Sequence, residues 1–276
     1  MMKKILKTIV PLILATLVLA GGAGLWAWQR AERQRATDGK LQIHFIDVGQ
    51  GDAALLILPT GERIMIDTGT YESGEAILSH LAKWEVAALD LVILSHSHSD
   101  HAGGLEVLAE AMPIGGVLYT DVPPEDCGLT VRPLSPGYCF SVGEVKFSVL
   151  GPLSDETSEN RCLILRIDYG VRSFLFMGDA EADEEEALLA TVPELLNADL
   201  LKVGHHGAAS STTEAFLFAV DPEVAVISAS RDNSYGHPSP KVLDRLRAAG
   251  CMIYRTDRQG TLIFLCDGTN LTRYMD

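Results

Sequence analysis

The chain has 276 residues, 47% of them hydrophobic, enough for one full core in a domain of roughly 230 residues with an appendage to spare. It carries 22 Lys and Arg against 37 Asp and Glu; residues 1–40 hold seven of the basic and two of the acidic side chains, so the remainder has a formal charge of −20. That balance excludes tight non-specific binding to polyanions, and five cysteines without CxxC spacing exclude a zinc knuckle or a dense disulfide framework.

From the N-terminus, Lys3, Lys4 and Lys7 precede an uncharged run over residues 8–29. Residues 9–28 would span about 30 Å as a helix, the thickness of the hydrocarbon layer. Trp26 and Trp28 stand at its far end, where amphipathic rings favour the headgroup level. This predicts a transmembrane signal anchor. The competing reading is a cleaved signal peptide, for which Ala20, Gly21, Gly22 and Ala23 offer small residues. The expected placement is single-pass in the cell membrane with the body extracellular, or secreted if the segment is removed. Residues 30–40 read as a polar linker, which divides the chain into an anchor and linker over 1–40 and a body over 41–276.

The body opens with apolar strand-like runs at 41–47, 53–58 and 63–66. Gly49-Gln50-Gly51-Asp52 separates the first two, and Pro59-Thr60-Gly61-Glu62 makes a hairpin turn between the next two. Helical spacing over 75–84 leads to a buried strand at 91–94. Strands are then predicted at 117–120, 144–150, 162–168, 173–177, 199–203, 224–228, 252–255 and 261–266. Helices are predicted at 183–190, 213–220 and 240–248. A strand-rich start followed by alternation implies an α/β protein with two sheets and helices outside. Cys127–Cys139 and Cys251–Cys266 are conceivable disulfides, though buried thiols are the simpler reading.

Directly after the buried strand comes Ser95-His96-Ser97-His98-Ser99-Asp100-His101, followed by Ala102-Gly103-Gly104 and a helical pattern. In extended backbone His96 and His98 point the same way and share one ion; Asp100 and His101, where the chain turns into a helix, reach a second. Imidazole and carboxylate suit Zn or Mn. The chain has no GxSxG elbow, so a metal-dependent hydrolase is expected rather than a serine enzyme. His44 and His80 lack ligand spacing.

The HxHxDH run after a strand resembles the metallo-β-lactamase superfamily. Ile66-Asp67-Thr68-Gly69 resembles that superfamily's early Asp-x-Gly turn, and Met177-Gly178-Asp179 its strand-end bridging Asp. Residues 45–52, Gly178-Asp179-Ala180-Glu181, residues 201–207 and residues 231–238 are together similar to the hydrolase domain of ComEC-type competence proteins, without that family's multi-helix channel. The resemblance implies a four-layer αββα sandwich, here with an N-terminal transmembrane helix. It makes His96 and His98 ligands of one divalent ion and Asp100 and His101 ligands of another, bridged by Asp179. One of His205 and His206, with His205 favoured, completes the second position. His237 lines the site as a ligand or a donor to substrate. The superfamily's middle histidine is absent: no His lies between His101 and His205, and Asn160 stands near that place as a substrate-side residue, leaving the first ion with fewer ligands.

The implied chemistry is attack by a metal-activated hydroxide, with Asp100 or Asp179 moving the proton and His206 and His237 contacting substrate oxygens. A phosphodiester substrate, DNA among the candidates and linked to DNA uptake, leads. The alternatives are a small or cell-envelope phosphoester, a lactam or lactone, and a non-enzymatic metal-binding surface module. Arg231, Lys241, Arg245, Arg247, Arg255 and Arg258 are expected to form a local basic rim beside His237.

Overall fold

The computed structural model describes residues 27–120, 128–154 and 161–275. They divide into two units, one ending at Asp38 and one spanning Gly39–Met275. In the first, residues 27–37 form a helix, α1, where a linker is expected from residue 30. The stretch is rich in Ala, Glu, Arg and Gln, which lose little side-chain freedom in a helix.

One expectation is corrected here. The anticipated membrane span over residues 9–28 lies almost wholly outside the described residues, and among the described residues no helix is long and apolar enough to cross a membrane. The described fold therefore contains no membrane-spanning helix, and the membrane partner and the single-pass cell-membrane placement are not carried further.

In the second unit, six strands build most of one sheet: β1 (Leu41–Phe45), β2 (Ala53–Ile57), β3 (Arg63–Thr68), β4 (Leu91–Ile93), β5 (Val117–Tyr119) and β6 (Val131–Pro133). The next seven form the other: β7 (Cys139–Val142), β8 (Val145–Gly151), β9 (Ile164–Tyr169), β10 (Arg172–Phe176), β11 (Leu200–Lys202), β12 (Val224–Ile227) and β13 (Met252–Arg255). The chain then returns to the first sheet with β14 (Leu262–Cys266) beside β1 and β15 (Leu271–Tyr274) at its edge. β6, β7 and β15 escape the sequence pattern because they are exposed or half-buried edge strands with little apolar alternation.

Period-two alternation sorts the side chains into three apolar layers. Leu41, Ile43 and Phe45 of β1 face Phe147 and Val149 of β8 and Phe174 and Phe176 of β10 between the sheets. Leu55, Met65 and Val92 point the other way, under α2 (Gly74–Lys83) and α4 (Leu105–Ala111). Leu175, Leu201 and Ala225 carry α5 (Ala182–Thr191), α6 (Glu214–Val220) and α7 (Pro240–Ala248) on the outer face of the second sheet. The result is a four-layer αββα sandwich. In it β3, β4 and β5 run parallel, as do β10, β11, β12 and β13. Parallel strands leave their carboxyl ends on one edge, where connecting loops can converge. Cys139, Cys162, Cys251 and Cys266 are free thiols, so the conceivable Cys251–Cys266 bridge is not made; Cys127 lies outside the described residues.

Candidate metal centre

The carboxyl ends of β3, β4, β10, β11 and β12 supply the site. At the end of β3, Asp67 adopts a left-handed backbone (φ 56°), a conformation that costs a non-glycine residue about 1–3 kcal/mol. Its carboxylate accepts the Ser95 N–H at 2.6 Å and the Ser95 hydroxyl at 2.7 Å, and meets His101 Nδ1 at 2.8 Å. These bonds offset the strain and fix the His101 ring, leaving Nε2 to face the site.

β4 delivers residues 95–98 and then the short helix α3 (Ser99–Ala102). The rings of His96 and His98 lie 4.4 Å apart between centroids, and His96 and His101 4.2 Å apart. From the other sheet, Gly178 (φ 50°) turns the chain so that Asp179 enters the same space. A Cβ at Gly178 would stand 3.0 Å from Cys162 Sγ and 3.2 Å from Ser95 Cβ. Asp179 Oδ1 lies 3.1 Å from His101 Nε2, and Asp179 Oδ2 lies 3.7 Å from His96 Nε2.

Past β11, His205 and His206 both take left-handed φ values, 45° and 53°. Regular backbone would send adjacent side chains apart; this turn brings both rings to the site. His206 Nε2 lies 3.2 Å from Asp100 Oδ2 and 3.6 Å from Asp179 Oδ1, and its Nδ1 lies 3.1 Å from the Ser228 carbonyl oxygen. His205 instead places Nδ1 2.8 Å from Glu181 Oε1, with Nε2 3.7 Å from Asp179 Oδ2.

Among the described residues two sets of converging ligand atoms share Asp179: His96, His98 and Asp179, and Asp100, His101, Asp179 and His206; a third group, Asp52, Asp67 and His101, lies behind His101 and lacks Asp179. The structure thus brings His206, rather than the favoured His205, into the second set, and keeps His205 beside the bridge. The first set has three members, with His98 exposed; the second has four, with only Asp100 partly exposed. His237 stands at the rim, its ring 5.5 Å from that of His205. Asn160 lies outside the described residues. His44 and His80 meet each other, at 2.9 Å, away from the cluster.

Buried polar atoms test whether a cation fits. His101 Nε2 and Asp179 Oδ1 are buried without a hydrogen-bond partner among the described residues, although they face each other. A buried lone pair left unmade is costly, and a divalent cation satisfies both atoms together. The donor set of imidazoles and carboxylates fits Zn or Mn.

Electrostatics follow the same geometry. Burial alone would raise the Asp179 carboxyl, but the charge of the adjacent His101, with His206 and His96, holds it well below the usual carboxylate range. Burial would depress His206, but Asp52, Asp100 and Asp179 lift it to about 9. His101 is likewise raised, against burial, by Asp179 and Asp67. His237 goes the other way: burial lowers it, and the neighbouring His205 and His206 add to the effect.

Three supporting residues received no role from the sequence. Asp67 orients His101. Lys202 donates to Asp52 Oδ2 at 2.7 Å and to the Val203 carbonyl at 3.1 Å, with both charged side chains buried. Asp52 Oδ1 in turn lies 3.5 Å from His206 Nδ1. A lysine inside the apolar run 199–203 was the available signal, because a buried ammonium requires a buried partner. The expected basic rim is largely spent on internal pairing: Arg247 binds Asp244, Arg255 and Arg258 meet Asp257, and Arg231 donates to the Asp257 carbonyl.

Comparison with known proteins agrees with the motifs. The Metallo-beta-lactamase superfamily matches residues 46–132. ComE operon protein 3 of Bacillus subtilis is 30% identical over 252 residues, covering 80% of this chain and 32% of that protein. Competence protein ComA of Neisseria gonorrhoeae is 30% identical over 263 residues, covering 90% of this chain and 37% of that protein. The chain thus spans about a third of the length of these curated relatives. Among solved structures, the metallo-beta-lactamase fold protein YhfI from Bacillus subtilis superposes with a TM-score of 0.58 at 12% identity, covering 82% of this chain and all of that one, a likeness of fold. The clustered His and Asp side chains, with a carboxylate shared between two sets, suggest a dinuclear metal-binding site of the kind typical of this fold. The chain is a metallo-β-lactamase-fold protein related to the bacterial competence proteins.

Proposed function

We propose that this metal-binding hydrolase is a phosphodiesterase and that its substrate is nucleic acid. The observation that carries the reading is the pair of ligand sets joined through Asp179, a layout suited to holding the attacking and the leaving oxygen of an in-line displacement at phosphorus. Its relationship to proteins named for competence supports a nucleic-acid substrate. His96, His98 and Asp179 would hold one divalent ion, and Asp100, His101, Asp179 and His206 the other. When bound, such ions act as Lewis acids and bring the pKa of a water down toward ~7.

The protein's own groups do the rest. Asp67 and the Ser228 carbonyl engage the Nδ1 atoms of His101 and His206, leaving each Nε2 toward the centre. Asp100, the most open of the site carboxylates, would accept a proton from an attacking water. His237 at the rim, its pKa lowered by burial, would hydrogen-bond a substrate oxygen.

The test is turnover by the full chain loaded with Mn²⁺ or Zn²⁺ against DNA, bis-p-nitrophenyl phosphate and nitrocefin. Cleavage of both diesters with nitrocefin untouched is expected. Nitrocefin turnover without diester cleavage would replace the reading with lactam hydrolysis.

Metal uptake is expected to depend on pH. In the metal-free protein the raised pKa values of His101 and His206 keep protons on groups that must lose them to bind a cation. Their contribution to metal-free stability is full below the ordinary histidine pKa and lost as pH rises through about 9 for His206. Apparent Mn²⁺ affinity should accordingly climb from pH 7 to about 9, by about tenfold per unit for each proton released. Calorimetric titration in buffers of different ionisation enthalpy reads the proton count, and an affinity flat over that range would contradict it.

A further inference from the structure

The loop after β12, residues 230–239, is built onto both walls of the metal centre. The Ser230 N–H donates to Gln50 Oε1 at 3.2 Å, tying the loop to the turn that carries Asp52. The Ser239 N–H donates to the Gly207 carbonyl at 2.8 Å, tying it to the His205–His206 turn. A Cβ on Gly207 would stand 2.7 Å from Pro238 Cβ, so the two turns are in close contact. Inside the loop, Asn233 acts as a clamp: its Nδ2 donates to the carbonyls of Ser230 at 2.6 Å and His237 at 2.5 Å, and its Oδ1 accepts the His237 N–H at 2.9 Å.

This frame presents one large aromatic ring to solvent. Tyr235 is 70% exposed, and its ring stacks on His237 with centroids 5.7 Å apart and planes 25° from parallel. One face of the tyrosine is thus backed by the rim histidine and the rest is open, next to the place where a scissile phosphodiester would lie. Arg247, Arg255 and Arg258 are paired with Asp244 and Asp257, so the charge left to hold a polyanion comes from Arg231 and Arg245, which donate to backbone carbonyls. A fixed, exposed ring supplies what charge does not: affinity for a planar group, indifferent to sequence.

We propose that Tyr235, backed by His237, is a stacking subsite for an unpaired nucleobase, so that the centre takes single-stranded rather than duplex nucleic acid. The inference rests on the phosphodiesterase reading and deepens it. Within a duplex both faces of a base are covered by its neighbours, whereas a base in a single strand can turn onto the ring.

The experiment compares the full chain with Tyr235→Ala and Tyr235→Phe. Binding of a labelled oligothymidylate about ten nucleotides long, of an abasic oligomer of equal length and of a blunt duplex is followed by fluorescence anisotropy in EDTA, and cleavage is followed in Mn²⁺. Tyr235→Ala should weaken oligothymidylate binding about tenfold or more and raise KM in proportion, with kcat held within about twofold. It should leave the abasic oligomer unaffected. Tyr235→Phe, which keeps the ring, should match the parent. Equal binding of abasic and base-bearing oligomers by the parent, tighter binding of duplex, no oligothymidylate binding at all, or unchanged binding by Tyr235→Ala each overturns the subsite. If no diester is cleaved, the phosphodiesterase reading fails, while the anisotropy series still decides whether Tyr235 stacks on a base.

Discussion

Replacing Asp179 by asparagine is expected to lower diester kcat/KM by about three orders of magnitude and to reduce the bound metal below two equivalents. Asp179 is the one side chain common to both ligand sets, with one oxygen 3.1 Å from His101 Nε2 and the other 3.7 Å from His96 Nε2. An amide keeps the shape but removes the charge that each cation would share. Several kcal/mol of transition-state stabilisation are lost with it, and each 1.4 kcal/mol is a factor of ten. The fold should survive, because the buried carboxylate is held charged by histidines and not by the core. Metal analysis alongside circular dichroism separates the two effects. A well-folded variant that keeps both ions and within tenfold of parental activity would remove Asp179 from its bridging role.

The second large effect concerns stability. Lys202→Met is expected to destabilise the protein by about 3–5 kcal/mol, because it strands the Asp52 carboxylate in the interior. Lys202 and Asp52 are 3% and 5% exposed, and the pair closes at 2.7 Å. Burial would raise the Asp52 carboxyl, but Lys202 first, then His206, holds it below the usual range, so at neutral pH the variant must bury an anion left with His206 alone or protonate it. For a body of this size the loss corresponds to about 10 °C in Tm. The double variant Asp52→Leu with Lys202→Met, which removes both charges, should recover most of that loss. A single variant melting within 2 °C of the parent would show that the pair contributes little.

Much of this architecture is legible in the residues. The apolar runs place the central strands of both sheets, since a strand buried on both faces must be continuously apolar. The run from Ser95 to His101 is equally direct: alternation in extended backbone followed by a helical turn aims three histidines and an aspartate at one volume. The edge strands β6, β7 and β15 are not legible, since their register comes from a neighbour rather than from an apolar face of their own. α1 was hidden for a different reason: a polar stretch with good helix formers looks like a linker when only hydropathy is read.

The metal centre divides along the same line. By itself the sequence determined the two-sheet α/β class and the HxHxDH run at the end of a buried strand, because each depends on patterning along the chain, while Asp179 came from the resemblance of Met177-Gly178-Asp179 to the superfamily's strand-end motif. Only the tertiary structure decided that His206 joins Asp100 and His101 while His205 turns to Glu181, because two consecutive left-handed residues override the divergence that regular backbone imposes. It alone joined Asp52 to Lys202 across 150 positions of chain, since a buried charge selects its partner by distance in space. And it alone set Tyr235 against His237 at the mouth of the centre, through hydrogen bonds to two loops that the sequence keeps far apart.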